Sequence, residues 1–221
     1  LEAVDRDLSV PIYLIPEYSE FVRLLEARPS GLAVPAKKLA VFNGFADRSA
    51  ERASGQISQL TGLRTDVTVS QLRFLSFSDM SAEVGSDTYV SVIFELTGLP
   101  SGFFVVMFNE DSAHRVASAM LPEGIDPDNE SMAEGAIKEL GNIITSGFID
   151  GWANTLQSSI EHTPPEFVRD SGSSVIRTVQ RRLSDRQEFA LTIDTAIELD
   201  DRKAEVQLYM LPDTRELAKA L

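Results

Sequence analysis

Five segments of the chain show the alternation of apolar and polar residues, or the short unbroken apolar run, that is typical of β-strands. In residues 88–96, "TYVSVIFEL", every second residue from Val90 to Leu96 is apolar, which gives the strand one apolar face. Residues 103–108, "FFVVMF", are apolar throughout. The turn sequence "LPSG" separates them, so these two segments are predicted to form a β-hairpin. The remaining predicted strands are residues 64–77, 189–199 and 204–211.

Helical periodicity accounts for most of the remaining chain. One long helix is predicted from about residue 35 to a C-cap at Gly62. The longest is predicted over residues 129–156, with "DNES" as its capping region and acidic residues early, where they complement the helix dipole. The shorter predicted helices are residues 17–27, 109–121, 172–183 and 212–221.

The order of elements occurs twice along the chain. "VVMFNEDSAHRVASAML" (residues 105–121) corresponds to "QLYMLPDTRELAKAL" (residues 207–221), because each is a strand followed by an acidic capping region and a helix. An internal duplication fixes the architecture. The predicted fold class is therefore α+β, a tandem pseudo-twofold repeat of helix-strand-strand-strand-helix whose units share one continuous mixed sheet flanked by long helices.

Domain boundaries follow from this repeat. Residues 1–35 are predicted to be an N-terminal extension, residues 36–125 the first repeat and residues 126–221 the second, and the repeats together form one domain. With 221 residues, 43% of them hydrophobic, the chain can bury a substantial core.

Composition excludes several kinds of site. The chain has no cysteine, which removes disulfides and thiol catalysis, and only two histidines, which argues against a histidine-rich metal site. No apolar run approaches the roughly 20 residues of a membrane span, and the N-terminal sequence is acidic where a signal peptide is basic. A soluble cytoplasmic protein is expected.

The net charge of −14 disfavours nucleic-acid binding, because such a field repels phosphate. The 34 acidic residues outnumber the 20 basic ones, of which five are lysine. Acid-rich, lysine-poor surfaces suit proteins that stay soluble in concentrated salt, where repulsion is screened. A halophilic source, an archaeon, is the corresponding hypothesis.

The predicted helix over residues 129–156 carries two side chains that its core stripe does not need. Glu139 and Asn142 are three residues apart and therefore neighbours on the polar face. The simpler interpretation is an ordinary solvated face, as most helix carboxylates have no specific role. Asparagine is nevertheless unfavourable inside a helix, since its side chain competes for backbone hydrogen bonds.

The sequence "KELGNIITSGFIDGWANTL", followed by "PP", resembles the second active helix of the CheC/CheX/FliY phosphatases of chemotaxis. Their motif is Asp or Ser, three residues, Glu, two residues, Asn, and later a proline. Glu139 and Asn142 match it, and 22 residues separate Asn142 from Pro165 in the pair Pro164–Pro165. "SGFFVVMFNEDSAHRVASAML" and "SQLTGLRTDVTVS" resemble further family segments, so the likeness covers residues 36–221.

The resemblance implies hydrolysis of the aspartyl phosphate of the response regulator CheY, and a possible complex with the deamidase CheD. Asn142 would orient the attacking water, and Glu139 would pair with the regulator's active-site lysine. No cofactor is implied on this chain, because the Mg²⁺ would be bound by the regulator.

The first repeat departs from the motif. Gly44, Asp47 and Ser70 stand 95 residues before Glu139, Asn142 and Pro165, respectively. The first site is therefore predicted to be degenerate, because Asp47 would bring a negative charge towards an anionic phosphoryl group. The second site also departs at one position, where Gly135 replaces Asp or Ser four residues before Glu139.

These departures keep a second interpretation open. In it the chain is a CheC-like adaptor of low or no activity that binds CheD, the regulator or the motility machinery. The remaining candidates are assigned structural roles: His114 and His162 as surface or structural residues, Trp152 as core, "DPDNES" as a helix cap and "RTVQRRLSDR" as a solvated helix face.

Overall fold

The computed structural model describes residues 36–122, 124–183, 189–199, 202–213 and 216. The helices are α1 (Ala36–Thr61), α2 (Phe77–Val84), α3 (Glu110–Met120), α4 (Glu130–Leu156) and α5 (Gly172–Arg182). The strands are β1 (Thr65–Ser76), β2 (Thr88–Gly98), β3 (Gly102–Asn109), β4 (Ile160–His162), β5 (Glu166–Ser171), β6 (Phe189–Leu199) and β7 (Arg202–Pro212). The predicted extension over 1–35 lies outside the described residues, as does nearly all of the predicted terminal helix over 212–221.

The α+β class and the predicted hairpin are confirmed, but the prediction of a mixed sheet is wrong. The strands lie in the order β1-β6-β7-β3-β2-β4, with β5 also paired to β2, and every pairing among the described strands is antiparallel. The two hairpins, β2–β3 and β6–β7, meet through β3 and β7, where Val105 lies opposite Tyr209. Antiparallel pairing at this junction keeps the whole sheet antiparallel.

The two predicted repeats are interlocked. Strand β1 of the first repeat pairs with β6 of the second over eleven residue pairs, while β4 and β5 of the second pair with β2 of the first. Each half therefore completes the sheet of the other, which argues that the two halves form one folding unit.

The described elements occur in the same order in both halves, namely long helix, strand, short helix and hairpin. In the second half the strand is divided into β4 and β5. This order agrees with the predicted duplication; the short helix of the second unit, α5, corresponds to the helix predicted over residues 172–183, whereas that of the first unit, α2, was not predicted. The pseudo-twofold relation between the units stays a prediction.

Apolar side chains cover both faces of the sheet. On one face the long helices α1 and α4, together with α3, bury the larger core, which includes Ile57, Phe94 and Phe148. On the other face α2 and α5 bury a smaller core, which includes Met80 and Val175. None of the described helices has the length and apolar character of a membrane span.

Candidate active site

Helix α4 presents one buried stripe and one accessible stripe. Asn129 caps its first turn, with its side chain accepting a hydrogen bond from the Met132 backbone N–H at 3.2 Å. Helical periodicity places six residues on the core stripe, of which Gly151 is half-buried and the other five are buried: Ile137, Leu140, Ile144, Phe148 and Trp152. On the predicted polar face Glu139 is exposed and Asn142 is half-buried.

Two glycines place α4 against its neighbours. A Cβ added to Gly141 would lie 3.1 Å from the Val92 side chain on β2, and one added to Gly147 would lie 3.1 Å from the Ala53 backbone on α1. Both distances are tighter than ordinary van der Waals contact. The glycines therefore allow α4 to lie close to the sheet and to cross α1 closely, which brings the accessible stripe of α4 beside the C-terminal part of α1.

Glu139 and Asn142 line a depression of about 430 Å³ between α1 and α4. Its lining residues are Gln56, Gln59, Leu60, Glu139, Asn142, Ile143 and Ser146. Within the described part of the chain, neither Glu139 nor Asn142 forms a side-chain hydrogen bond or an ion pair. A carboxylate and an amide that no described residue engages thus line one depression, which we call the Glu–Asn groove.

Contacts of helix α4 hold the segment that contains the motif's proline pair, Pro164–Pro165. Lys138, Asn142 and Ser146 are four residues apart and so share one stripe of α4. The Lys138 ammonium lies 6.0 Å from the centroid of the Phe167 ring, and Ser146 Oγ lies 3.2 Å from His162 Nε2. The chain from 162 to 167 is therefore held along α4 on both sides of Asn142, with Pro164 and Pro165 in between.

Further contacts hold the two ends of residues 162–167, which we call the proline segment. The Thr163 N–H donates to the Glu95 carbonyl at 2.9 Å, and the Glu95 N–H donates to Thr163 Oγ1 at 3.1 Å. At the other end, Arg182 of α5 donates to both carboxylate oxygens of Glu166, at 2.5 and 2.8 Å. The Arg182 guanidinium lowers the pKa of Glu166 below its ordinary value of 4.5.

The prolines change the strand itself. Strand β1 is continuous over twelve residues, with Ser70 at a β-bulge whose hydroxyl donates to the Asp194 carbonyl. In the second half, the matching stretch is broken into β4 and β5 at the prolines, which have no N–H to donate to a sheet. The two halves thus differ in backbone as well as in side chains at this position.

The remaining motif positions lie on the two long helices. Gly135 is exposed on α4, and a Cβ added there would meet no atom within 4 Å. Gly44 and Asp47, the predicted degenerate positions, lie within α1 in the part whose side chains fall outside the described set.

The structural roles predicted for Trp152, "DPDNES" and the two histidines are confirmed, whereas the end of "RTVQRRLSDR" lies outside the described residues. Trp152 is buried, and Asn129 of "DPDNES" caps α4. His162 is half-buried and packs edge-on against Phe94, with the ring centroids 5.1 Å apart. Its hydrogen bond with Ser146 joins the proline segment to α4. His114 is exposed, and its Nε2 lies 3.4 Å from Asp128 Oδ1. No cluster of three or more potential metal ligands occurs among the described residues.

A second depression, of about 340 Å³, lies between α3, the start of α4 and the edge of the sheet. Its charged side chains are largely engaged with each other or with neighbours. Arg169 donates to Glu110, and Glu134 pairs with Lys138. This depression therefore lacks the unused polar pair that distinguishes the Glu–Asn groove.

Comparison with known proteins relates the chain to the chemotaxis phosphatases. A family model described as chemotaxis phosphatase CheX matches residues 90–194. CheC1 of Halobacterium salinarum is 32% identical over 183 residues, which is 81% of this chain and 92% of that protein. The CheY-P phosphatase CheC of Bacillus subtilis is 26% identical over 202 residues, covering 79% of this chain and 93% of that protein.

The fold is also found among solved structures. FliY of Thermotoga maritima superposes with a TM-score of 0.65 over 85% of this chain and 97% of that one, at 14% identity, which establishes likeness of fold alone. The similarity to CheC1, in contrast, includes 32% sequence identity and extends over most of this chain and nearly the whole of that relative. The chain therefore belongs to the CheC/CheX family of chemotaxis phosphatases.

Proposed function

We propose that this protein accelerates hydrolysis of the aspartyl phosphate of a CheY-type response regulator, and that Asn142 orients the attacking water. The observation that supports it most is that Glu139 and Asn142 line the same groove, while no described residue forms a side-chain hydrogen bond or ion pair with either of them. The name of the Bacillus subtilis relative, a CheY-P phosphatase, supplies the substrate class. Such a protein would act in the cytoplasm together with its regulator.

The chemistry required of the phosphatase is limited. An aspartyl phosphate is already activated, and the regulator's Mg²⁺ neutralises charge on the phosphoryl group. What remains is to hold a water in line with the bond that breaks. The Asn142 amide is suited to this, since its carbonyl oxygen accepts a hydrogen bond from water while its NH₂ donates to phosphate or water. No covalent intermediate on this chain is needed.

Glu139 would serve recognition. It is exposed one turn from Asn142 on the same side of α4, so a cation of the regulator that pairs with it is brought to a fixed distance from the amide. We propose the regulator's active-site lysine as that cation. The buried neighbours Leu140 and Ile144 hold the helix against the sheet and make the pair a rigid unit.

The test is release of phosphate from phosphorylated regulator. If the amide orients the water, Asn142→Ala is expected to lower the rate of phosphate release at least about a hundredfold, which is the effect of removing one catalytic hydrogen-bonding group. Asn154→Ala is the matched control, because Asn154 is exposed on the same helix and lies outside the Glu–Asn groove. Equal dephosphorylation by Asn142→Ala and the wild type would contradict the proposal.

The adaptor function has its own supporting observation. Gly135 leaves the motif's first position empty of a side chain, and Gly44 and Asp47 do not provide a second Glu/Asn pair. In this alternative the groove binds the regulator, or another face binds a CheD-like protein, with little turnover. Binding of phosphorylated regulator by the wild type, without any faster loss of phosphate, would favour the adaptor over the enzyme.

A further inference from the structure

The wall of the Glu–Asn groove opposite the catalytic pair is formed by α1, from the half whose own motif is degenerate. Its residues are Gln56, Gln59 and Leu60, in the last two turns of α1. They face Glu139 and Asn142 across the groove because α1 crosses α4 closely at Ala53 and Gly147. The first half thus supplies half of the surface that surrounds the second half's site.

Leu60 is unusually accessible for its size. Its relative exposure is 58%, although it lies beside a depression rather than at a loop tip. Apolar side chains that remain exposed next to a polar functional pair are candidates for burial by a partner, since removing such a side chain from water favours association. A single exposed leucine is common on protein surfaces, so its location carries the argument.

Gln56 gives an independent indication. Its carbonyl oxygen Oε1 is shielded from solvent, and no described residue donates a hydrogen bond to it. A shielded acceptor without a donor is unfavourable and is rare in folded proteins. The Gln56 amide therefore has hydrogen-bonding capacity that no described residue uses, on the wall of the same groove as Asn142.

We infer that this wall of α1, the residues Gln56, Gln59 and Leu60, is a docking surface for the receiver domain of the phosphorylated regulator. The inference rests on the proposed function and adds to it a second contact, between the receiver domain and α1. The receiver would place an apolar side chain on Leu60 and polar groups against the glutamine amides. Its phosphorylated end would meanwhile meet Glu139 and Asn142.

Continuity with the catalytic pair identifies the occupant. Leu60 and Asn142 line one depression, so a receiver domain that brings its phosphoryl group to Asn142 also covers the end of α1. The uncharged wall also suits an acidic receiver site better than the rest of this surface does, since the chain as a whole carries −14. Two contacts on different helices fix the orientation of the receiver, which one pair of side chains cannot do alone.

Leu60→Ala is the decisive variant, and Leu99→Ala is its matched control. Both leucines are 58% exposed, and Leu99 lies in the β2–β3 turn rather than in the groove. We expect Leu60→Ala to raise KM for phosphorylated regulator about tenfold with kcat nearly unchanged, as for loss of binding to ground and transition states alike. Gln56→Ala is expected to raise KM less, by about threefold, the effect of one neutral hydrogen bond.

Direct binding separates this inference from the proposed function. The probe is the regulator activated with beryllofluoride and Mg²⁺, titrated calorimetrically into wild type, Leu60→Ala, Leu99→Ala and Asn142→Ala. Weaker binding by Leu60→Ala alone among the leucine variants supports the docking surface, even if no variant releases phosphate. Equal affinities and equal KM values for Leu60→Ala and Leu99→Ala would overturn it, whatever the result for Asn142→Ala.

Discussion

Gly135 is the position at which the second half departs from the motif that the sequence resembles, and the open space around it shows that packing does not require a glycine there. The position is exposed and has open space where a Cβ would be. It stands four residues before Glu139, so a side chain there would lie one turn away on the same face. A polar side chain at this position would extend the polar surface of the Glu–Asn groove towards the start of α4.

Gly135→Ser is therefore expected to stabilise the protein and to improve its interaction with the regulator. Replacing a helix-interior glycine by serine should raise the free energy of unfolding by about 0.5 kcal/mol. One added hydrogen bond to the docked regulator should lower KM about threefold. Denaturant unfolding and phosphate release measure the two effects separately.

Gly55→Ser is the control for this change. Gly55 is an exposed glycine of α1 with open space around it, and it is not among the residues that line the groove. It should gain similar stability with no change in KM. If Gly135→Ser gains stability but keeps the wild-type KM, position 135 takes no part in docking.

At the scale of elements, the sequence predicted what depends on neighbouring residues. The alternation in "TYVSVIFEL" and the acidic cap of α4 identify β2 and α4 because both signals lie within the element itself. Helix α2 was missed, although Ser76 accepts from the Asp79 N–H in a capping arrangement that "SFSD" could have indicated. Strands β4 and β5 were missed because they are short and adjoin the prolines.

The ion pair of Glu166 and Arg182 couples two of these elements, since it joins the start of β5 to the end of α5. Glu166→Gln is expected to lower the free energy of unfolding at pH 7 by about 0.5 kcal/mol, as both groups are partly solvated. The folded-state pKa of Glu166 lies below 4.5, so the contribution is complete above that pH and is lost as pH falls through the lower value.

Urea unfolding at stepwise lower pH measures this dependence. The difference between wild type and Glu166→Gln should shrink below about pH 4.5, as the carboxylate takes up its proton. Glu161→Gln, at an exposed position on β4 with no ion pair among the described residues, should show no such difference at any pH. A difference between wild type and Glu166→Gln that stays constant with pH would assign the effect to the amide rather than to the ion pair.

At the scale of the whole molecule, pairing between distant segments determines what the sequence could not show. Strand β1 meets β6 at Val67 and Ile197, 130 residues apart, and no local pattern identifies that partner. The same holds for the groove, because Leu60 and Asn142 meet only through the crossing of α1 and α4. The family resemblance predicted Glu139 and Asn142 as site residues, whereas the α1 wall that lines the groove with them required the structure.

This long-range pairing also places like charges together. Asp66 on β1 and Glu198 on β6 are exposed and directly opposite each other, an arrangement that destabilises a sheet, while Lys203 on β7 lies opposite Glu198 on its other side. The net charge of −14 adds repulsion over the whole surface. Salt weakens such repulsion, since the screening length falls from about 10 Å at 0.1 M to about 3 Å at 1 M.

Stability should therefore rise with salt concentration, as the hypothesis of a halophilic source requires. We expect Tm to increase by about 5 °C between 0.1 and 2 M KCl, equivalent to about 1–2 kcal/mol for a chain of this size. Asp66→Asn removes the opposed pair, so it should raise Tm at 0.1 M KCl and reduce the further gain at 2 M. Circular dichroism melts of both proteins make the comparison. A Tm that is independent of KCl in the wild type would contradict the halophilic hypothesis, and an equal salt gain in Asp66→Asn would show that this pair contributes little to the repulsion.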